Sequence, residues 1–264
     1  MTEKNPESDQ GLEVRTYFVR ERNVLLARAD FGELYIDYYL HLAQSSIRHS
    51  RRNDELLKET VAALTLHCAS RPQNETAAWT IHFENPMVNL FVAGDNPQGA
   101  VVGHLFTENI KSHSTNLFFA DVIRGAQASR RSTVDFEGND VFRAVERYYH
   151  QSEQRPARYF QVGPEDFVLI SAQPDCDIAW FEGLNDDAVK EIDKTCTLRL
   201  LETRFYHWKC GCNQDRMFAL LAPVMRTDPT QLFGNEQSLR ISCPRCGTRH
   251  TITREALEAF ISIN

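Results

Sequence analysis

The sequence predicts an α+β fold: an N-terminal sheet-and-helix domain, a partly helical connector and a small C-terminal domain built around four cysteines. Three observations predict it. Apolar residues recur at helical spacing up to Ala69, the pattern switches to period-two alternation between Ala77 and Val134, and four of the seven cysteines gather in two close pairs after residue 208. Helices grouped before and after a run of strands argue against a regular βαβ alternation. With 264 residues, 42% of them hydrophobic, the chain is long enough for one large and one small domain. The expected division is 1–182 for the core, 183–207 for a connector or switch segment, and 208–264 for the cysteine domain.

After a polar lead, Glu13–Phe18 and Asn23–Ala29 read as short strands, the second ended by Gly32. Tyr35 to Ser50 reads as a helix. So does Asp54 to Ala69, where Leu56, Leu57, Val61, Leu64 and Cys68 fall on one stripe. Trp79, Ile81 and Phe83 then alternate on one face of a strand, and Val88–Val92, Ala100–Leu105 and Asn116–Ile123 follow, separated by Asn-Pro, Gly-Asp-Asn-Pro and Lys-Ser-His-Ser turn signals. Asp140 to Ser152 is expected to be helical on Val141, Ala144, Val145 and Tyr148, with Arg155-Pro156 as its stop. Phe167–Ala172 and Ile178–Phe181 read as two more strands, and Gly183 to His207 as the connector.

Composition excludes several classes. No run approaches the eighteen or so apolar residues of a membrane helix, and the first ten residues lack the apolar core of a signal peptide, so a cytoplasmic location is expected. The formal net charge of −7 disfavours a protein dedicated to nucleic acid. From Trp208 onward, however, seven Lys/Arg face five Asp/Glu. Four thiolates around one divalent cation carry two net negative charges, so this local basic excess reads as compensation for a metal cluster. The nine histidines form no His-Glu-x-x-His pattern, there is no Gly-x-Ser-x-Gly elbow, and Gly94-Asp-Asn-Pro-Gln-Gly99 does not match a phosphate loop. No enzymatic activity is expected. Arg48, Arg51 and Arg52 read as a solvated helix end.

The chemistry is concentrated in Cys210-Gly-Cys212 and Cys243-Pro-Arg-Cys246-Gly247. Zn²⁺ prefers soft thiolates in a tetrahedron, and two turn-borne pairs brought together across a loop supply that set. Pro244 pre-sets the turn, and Gly247 can take the positive φ that points backbone N–H groups at the sulfurs. Cys210, Cys212, Cys243 and Cys246 are therefore the expected ligands of one structural Zn²⁺. Four thiolates leave no open position for water, which argues against hydrolysis but not against redox chemistry. Cys68 on its apolar stripe reads as a small core residue. Cys176, flanked by Asp175 and Asp177, reads as an inert loop thiol with a raised pKa, and Cys196 as packing.

The chain resembles the redox-regulated heat shock protein 33 (HslO) chaperone family. The resemblance rests on the two cysteine pairs and their gap, Asn213-Gln-Asp-Arg216, Thr253-Arg-Glu-Ala-Leu257, and the helix running from Val145 into Ser152-Glu-Gln154. It departs from the family's usual pattern in a shorter stretch between Gln154 and Cys210. The resemblance implies an ATP-independent holdase, inactive while reduced and zinc-bound. Oxidation would pair Cys210 with Cys212 and Cys243 with Cys246, release zinc and expose surface for unfolding clients, with a possible homodimer in the oxidised state. Leu198, Leu200, Leu201, Phe205 and Tyr206 are the candidate client or switch surface. The competing reading is a zinc-stabilised binding module for nucleic acid or a fixed protein partner, without redox switching.

Overall fold

The computed structural model describes residues 11–263. The polar lead, 1–10, lies outside them. A hairpin of β1 (Leu12–Val19) and β2 (Val24–Asp30) opens the chain, followed by α1 (Gly32–Gln44) and α2 (Arg51–Ala69). An antiparallel run comes next: β3 (Glu75–Phe83), β4 (Val88–Asp95), β5 (Ala100–Phe106), β6 (Asn116–Arg124) and β7 (Arg130–Phe136). Then α3 (Val141–Tyr148) runs into a π-helical turn (Tyr149–Glu153) and a second hairpin, β8 (Ala157–Gln161) and β9 (Asp166–Ala172).

The core forms where the sequence periodicity places it. Ser50 Oγ accepts from Asn53 N–H at 3.3 Å and starts α2, an N-cap worth about 1 kcal/mol. From Leu56 to Ala69 nearly every α2 residue is buried, because the helix lies across the sheet between its two halves. Trp79, Ile81 and Phe83 point into the same core, as do Val141, Ala144, Val145 and Tyr148 of α3. The Val, Ile and Phe side chains among them each contribute about 1.5–3 kcal/mol by leaving water.

Between 183 and 207, where a partly helical connector is expected, there are two short helices, α5 (Asp186–Lys190) and α6 (Ile192–Thr195), and then an eleven-residue strand, β10 (Leu198–Trp208). The strand completes a ten-stranded sheet of order β7-β6-β3-β4-β5-β10-β1-β2-β9-β8. It runs antiparallel to β1 from Leu198 to Tyr206, then turns parallel to β5 through His207 and Trp208. His207 N–H donates to Gly99 O at 2.8 Å and Lys209 N–H to Val101 O at 2.9 Å, so the chain leaves the sheet fixed in direction one residue before Cys210.

Ile178–Phe181, read above as a strand, lies in a helix, α4 (Ile178–Glu182). Asp177 explains the difference: its Oδ1 accepts from Trp180 N–H at 3.1 Å, an N-cap that outweighs the β propensity of a short apolar run. With α5 and α6 it covers an apolar patch of the sheet, where Phe181, Leu184, Val189 and Ile192 pack on Val24, Leu26, Val168 and Ile170.

The C-terminal region comprises α7 (Gln214–Thr227), α8 (Pro229–Phe233), the hairpin β11 (Ser238–Ser242) and β12 (Arg249–Thr253), and α9 (Arg254–Ile263). Its own core is small: Met217, Phe218, Met225, Phe233, Ile252 and Leu257. Six buried side chains are a thin core for some fifty residues, a size at which metals commonly supply the missing stability.

Candidate metal centre

The sulfurs of Cys210, Cys212, Cys243 and Cys246 all lie within 4.8 Å of one another. Cys210 Sγ is 3.6 Å from Cys243 Sγ, and Cys212 Sγ is 3.6 Å from Cys246 Sγ. A tetrahedron with Zn–S bonds of about 2.3 Å has edges of about 3.8 Å, while a disulfide would need about 2.05 Å. The spacing fits four ligands around one metal and excludes bonds already closed between the two pairs. Among the described residues this is the only group of three or more His, Cys, Asp or Glu side chains arranged to hold an ion.

Two backbone devices build the cluster. Gly211 takes φ +68° between the first two cysteines, and Asn213 follows as the N-cap of α7, its Oδ1 accepting from Arg216 N–H at 2.9 Å. In the second pair the β11–β12 hairpin closes on itself: Gly247 N–H donates to Cys243 O and Cys243 N–H to Thr248 O, each at 2.8 Å, with Gly247 at φ +76°. A Cβ at Gly247 would lie 2.6 Å from the His104 ring and 2.8 Å from Ile47 Cδ1, so both conformation and space require glycine.

Cys243 and Cys246 are buried, and Cys210 and Cys212 half-buried. The crowding shows in their acidities. The Cys243 and Cys246 sulfurs beside it push the Cys210 thiol far up. Burial pushes Cys212 up to about 11. Cys246 is held far below the usual thiol range by hydrogen bonds from Cys210 and Cys243. Four thiolates this close repel one another, and a cation among them offsets that repulsion. An apolar cleft of about 330 Å³, lined by Met217, Leu220 and Pro244 with Arg216 and Arg245, opens onto Cys210, Cys212 and Cys243.

The remaining cysteines stand apart from this group. Cys68 is buried in the main core, and burial pushes its thiol up to about 12. Cys176 and Cys196 pack against the patch under α4–α6, and burial, with Asp177, raises Cys176. The proposed client residues fall into two environments. Leu200, Leu201 and Phe205 are already exposed on β10 while the four sulfurs sit together, and Leu198 is half-buried. Tyr206 is a core residue, 1% exposed, its hydroxyl donating to Asn96 Oδ1 at 2.7 Å.

Sequence reasoning missed the work done by Ser152-Glu-Gln154. Glu153 is half-buried with ion pairs to Arg71 at 3.1 Å and Arg130 at 2.6 Å, and Arg71 reaches on to buried Glu75, which also pairs with Arg124. Ser152 Oγ lies 2.7 Å from Ser132 Oγ, and Gln154 ends the π turn at φ +54°. The motif stitches α3, β3, β6 and β7 together. Burial pushes Glu153 up, but Arg71, Tyr148 and Arg130 outweigh it and hold the carboxyl below its usual range.

No curated protein sequence matches the chain. The family model described as Hsp33 protein matches residues 173–253, which takes in α4–α6, β10 and all four cysteines. A crystal structure of the 33 kDa chaperonin (heat shock protein 33 homologue) from Thermotoga maritima aligns with a TM-score of 0.73, covering 96% of this chain and 98% of that one at 13% identity. At that identity the alignment speaks for the fold, and the family match speaks for the cysteine region. The chain is Hsp33-like in sequence from residue 173 to 253 and in fold over nearly its whole length.

Proposed function

We propose that this protein is a redox-regulated, ATP-independent holdase chaperone whose resting form holds one Zn²⁺ on Cys210, Cys212, Cys243 and Cys246. The observation that carries the reading is the spacing of the four sulfurs within the Hsp33-matched segment. Bound Zn²⁺ would keep all four thiolates deprotonated and close the C-terminal module around its thin core. The chain's own contribution is to bring two turns together off the end of β10 and to leave a cleft through which a small oxidant reaches the sulfur atoms.

With hypochlorous acid as oxidant the step balances: two thiolates and one HOCl give one disulfide, chloride and hydroxide. The proposed products are Cys210–Cys212 and Cys243–Cys246. Two disulfides leave no thiolates for the metal, so zinc departs and the module at 208–264 loosens together with the segment 183–207. Client proteins are unfolding polypeptides. Leu200, Leu201 and Phe205 are exposed apolar side chains at rest, and release of α4–α6 would join the patch beneath to them, so that the surface becomes large enough to hold a client only after oxidation. The proposed setting is the cytoplasm, with a homodimer in the oxidised state and no catalytic turnover.

The test is light scattering from a chemically unfolded client diluted into buffer with the reduced, zinc-loaded protein or with the hypochlorite-treated protein. Suppressed aggregation with the oxidised protein alone is expected. Equal suppression by both forms would remove the switch, and suppression by neither would return the chain to the binding-module reading.

A further inference from the structure

The second cysteine turn is not held by the C-terminal module alone. His41, in the last turn of α1, lies with Nε2 2.8 Å from Cys246 O, where a protonated Nε2 donates to the carbonyl. Ser45, the residue that ends α1, has its Oγ 3.3 Å from Thr248 Oγ1, and that hydroxyl is 3.2 Å from Cys246 Sγ. Gly247 is clamped between His104 of β5 and Ile47. Trp208 packs its ring 5.0 Å from Tyr38 and 5.8 Å from His41, and Cys243 and Cys246 share a small buried cluster with Ala93 of β4 and Val102 of β5. Residues some two hundred positions apart in the chain thus build one turn.

We propose that His41 is a positioning residue for the metal centre: by holding the Cys246 carbonyl it fixes the Cys243–Cys246 turn on α1, and the Ser45–Thr248 pair extends the same grip to the Cys246 sulfur. This rests on the zinc reading above and assigns to the N-terminal region a share of the site's affinity. Ligand-orienting partners of this kind commonly carry 10–100-fold of metal affinity. Linkage makes the coupling reciprocal. If docking on α1 tightens metal binding by a given factor, metal binding favours docking by the same factor, so losing the metal loosens the turn from the chaperone core as well as from its own module.

The test uses the full chain, zinc-loaded, with His41 changed to Phe, Ala or Gln. Phe keeps a ring but no donor, whereas the Gln amide places a donor near the position of Nε2. Zinc affinity is measured by competition with a chromogenic chelator, and hydrogen exchange is followed at residues 38–47 with and without zinc. Expected are a roughly tenfold or greater loss for H41F and H41A, recovery to within about threefold for H41Q, and faster exchange at the end of α1 when wild-type protein is stripped of zinc. Affinity within twofold of wild type in H41F would overturn the proposal. So would an equal loss in H41Q, which would mean that the ring's packing rather than its donor matters. Wild-type protein that binds no zinc would overturn the zinc reading and this proposal with it, whereas tight wild-type binding with an unmoved H41F would overturn this proposal alone.

Discussion

Replacing Cys243 with serine removes one buried ligand and leaves the rest of the turn intact. Cys243 is 2% exposed and its sulfur is 3.6 Å from that of Cys210, and the serine hydroxyl put in its place is a far weaker ligand for Zn²⁺ than a thiolate. Structural zinc sites bind with about 10–16 kcal/mol at neutral pH, which shared over four ligands is about 2.5–4 kcal/mol each. At 1.4 kcal/mol per decade the loss is about two to three orders of magnitude in affinity. Serine at 243 also fails to supply a thiolate for a disulfide, so a single oxidation step remains. Chelator competition at pH 7.5 measures the affinity, with Cys196→Ser as the control that should leave it unchanged, since Cys196 packs on the patch beneath α4–α6. A C243S affinity within a factor of three of wild type would refute the assignment of Cys243 as a ligand.

Other consequences are equally open to measurement. Glu153→Gln removes the partner of Arg130, which is largely exposed, and one of the two partners of Arg71, which keeps Glu75, so it should cost about 1–3 kcal/mol in urea denaturation. Because the folded carboxyl sits below its unfolded value, its stabilisation is present above that value and lost as pH falls through the folded pKa; E153Q should therefore flatten the acid limb of stability against pH, and an unchanged limb would contradict the role given to the pair. Peptide mapping after limited hypochlorite treatment should find Cys210–Cys212 and Cys243–Cys246. Sulfur pairs at 3.6 Å run across the turns as well, so a dominant Cys210–Cys243 bridge would show that proximity in the resting site decides the pairing. Leu200→Asp together with Leu201→Asp should reduce client holding by the oxidised protein while zinc release keeps its rate; undiminished holding would move the client surface elsewhere.

The sequence carried those parts of the fold whose signal is local. Helix α2 was legible from Asp54 to Ala69 because Leu56, Leu57, Val61, Leu64 and Cys68 recur at helical spacing, and β3 because Trp79, Ile81 and Phe83 alternate against a single core. The grouping of four cysteines was legible for a chemical reason: a metal site is the common arrangement that needs two such close pairs brought together across a loop. Long-range partnership was not legible. Nothing within residues 198–208 says that this segment pairs with β1 at one end and β5 at the other, because its exposed Leu200 and Leu201 and buried Tyr206 follow no simple alternation across the bulge opposite Thr16 and Tyr17. The same holds for His41, an unremarkable helix residue until the fold brings Cys246 to it. Glu153 lay inside a recognised motif, yet its purpose depends on two arginines that only the sheet brings together.

The central claim is that a zinc-bound cluster of four thiolates keeps the chaperone at rest. Its most direct test follows zinc with a chromogenic chelator while hypochlorite is titrated into the reduced, zinc-loaded protein, with client light scattering read from the same samples. Two equivalents of oxidant should release one zinc per chain, with holdase activity rising in step with the metal lost. Zinc retained under excess oxidant, or released in full with no gain in client protection, would contradict it.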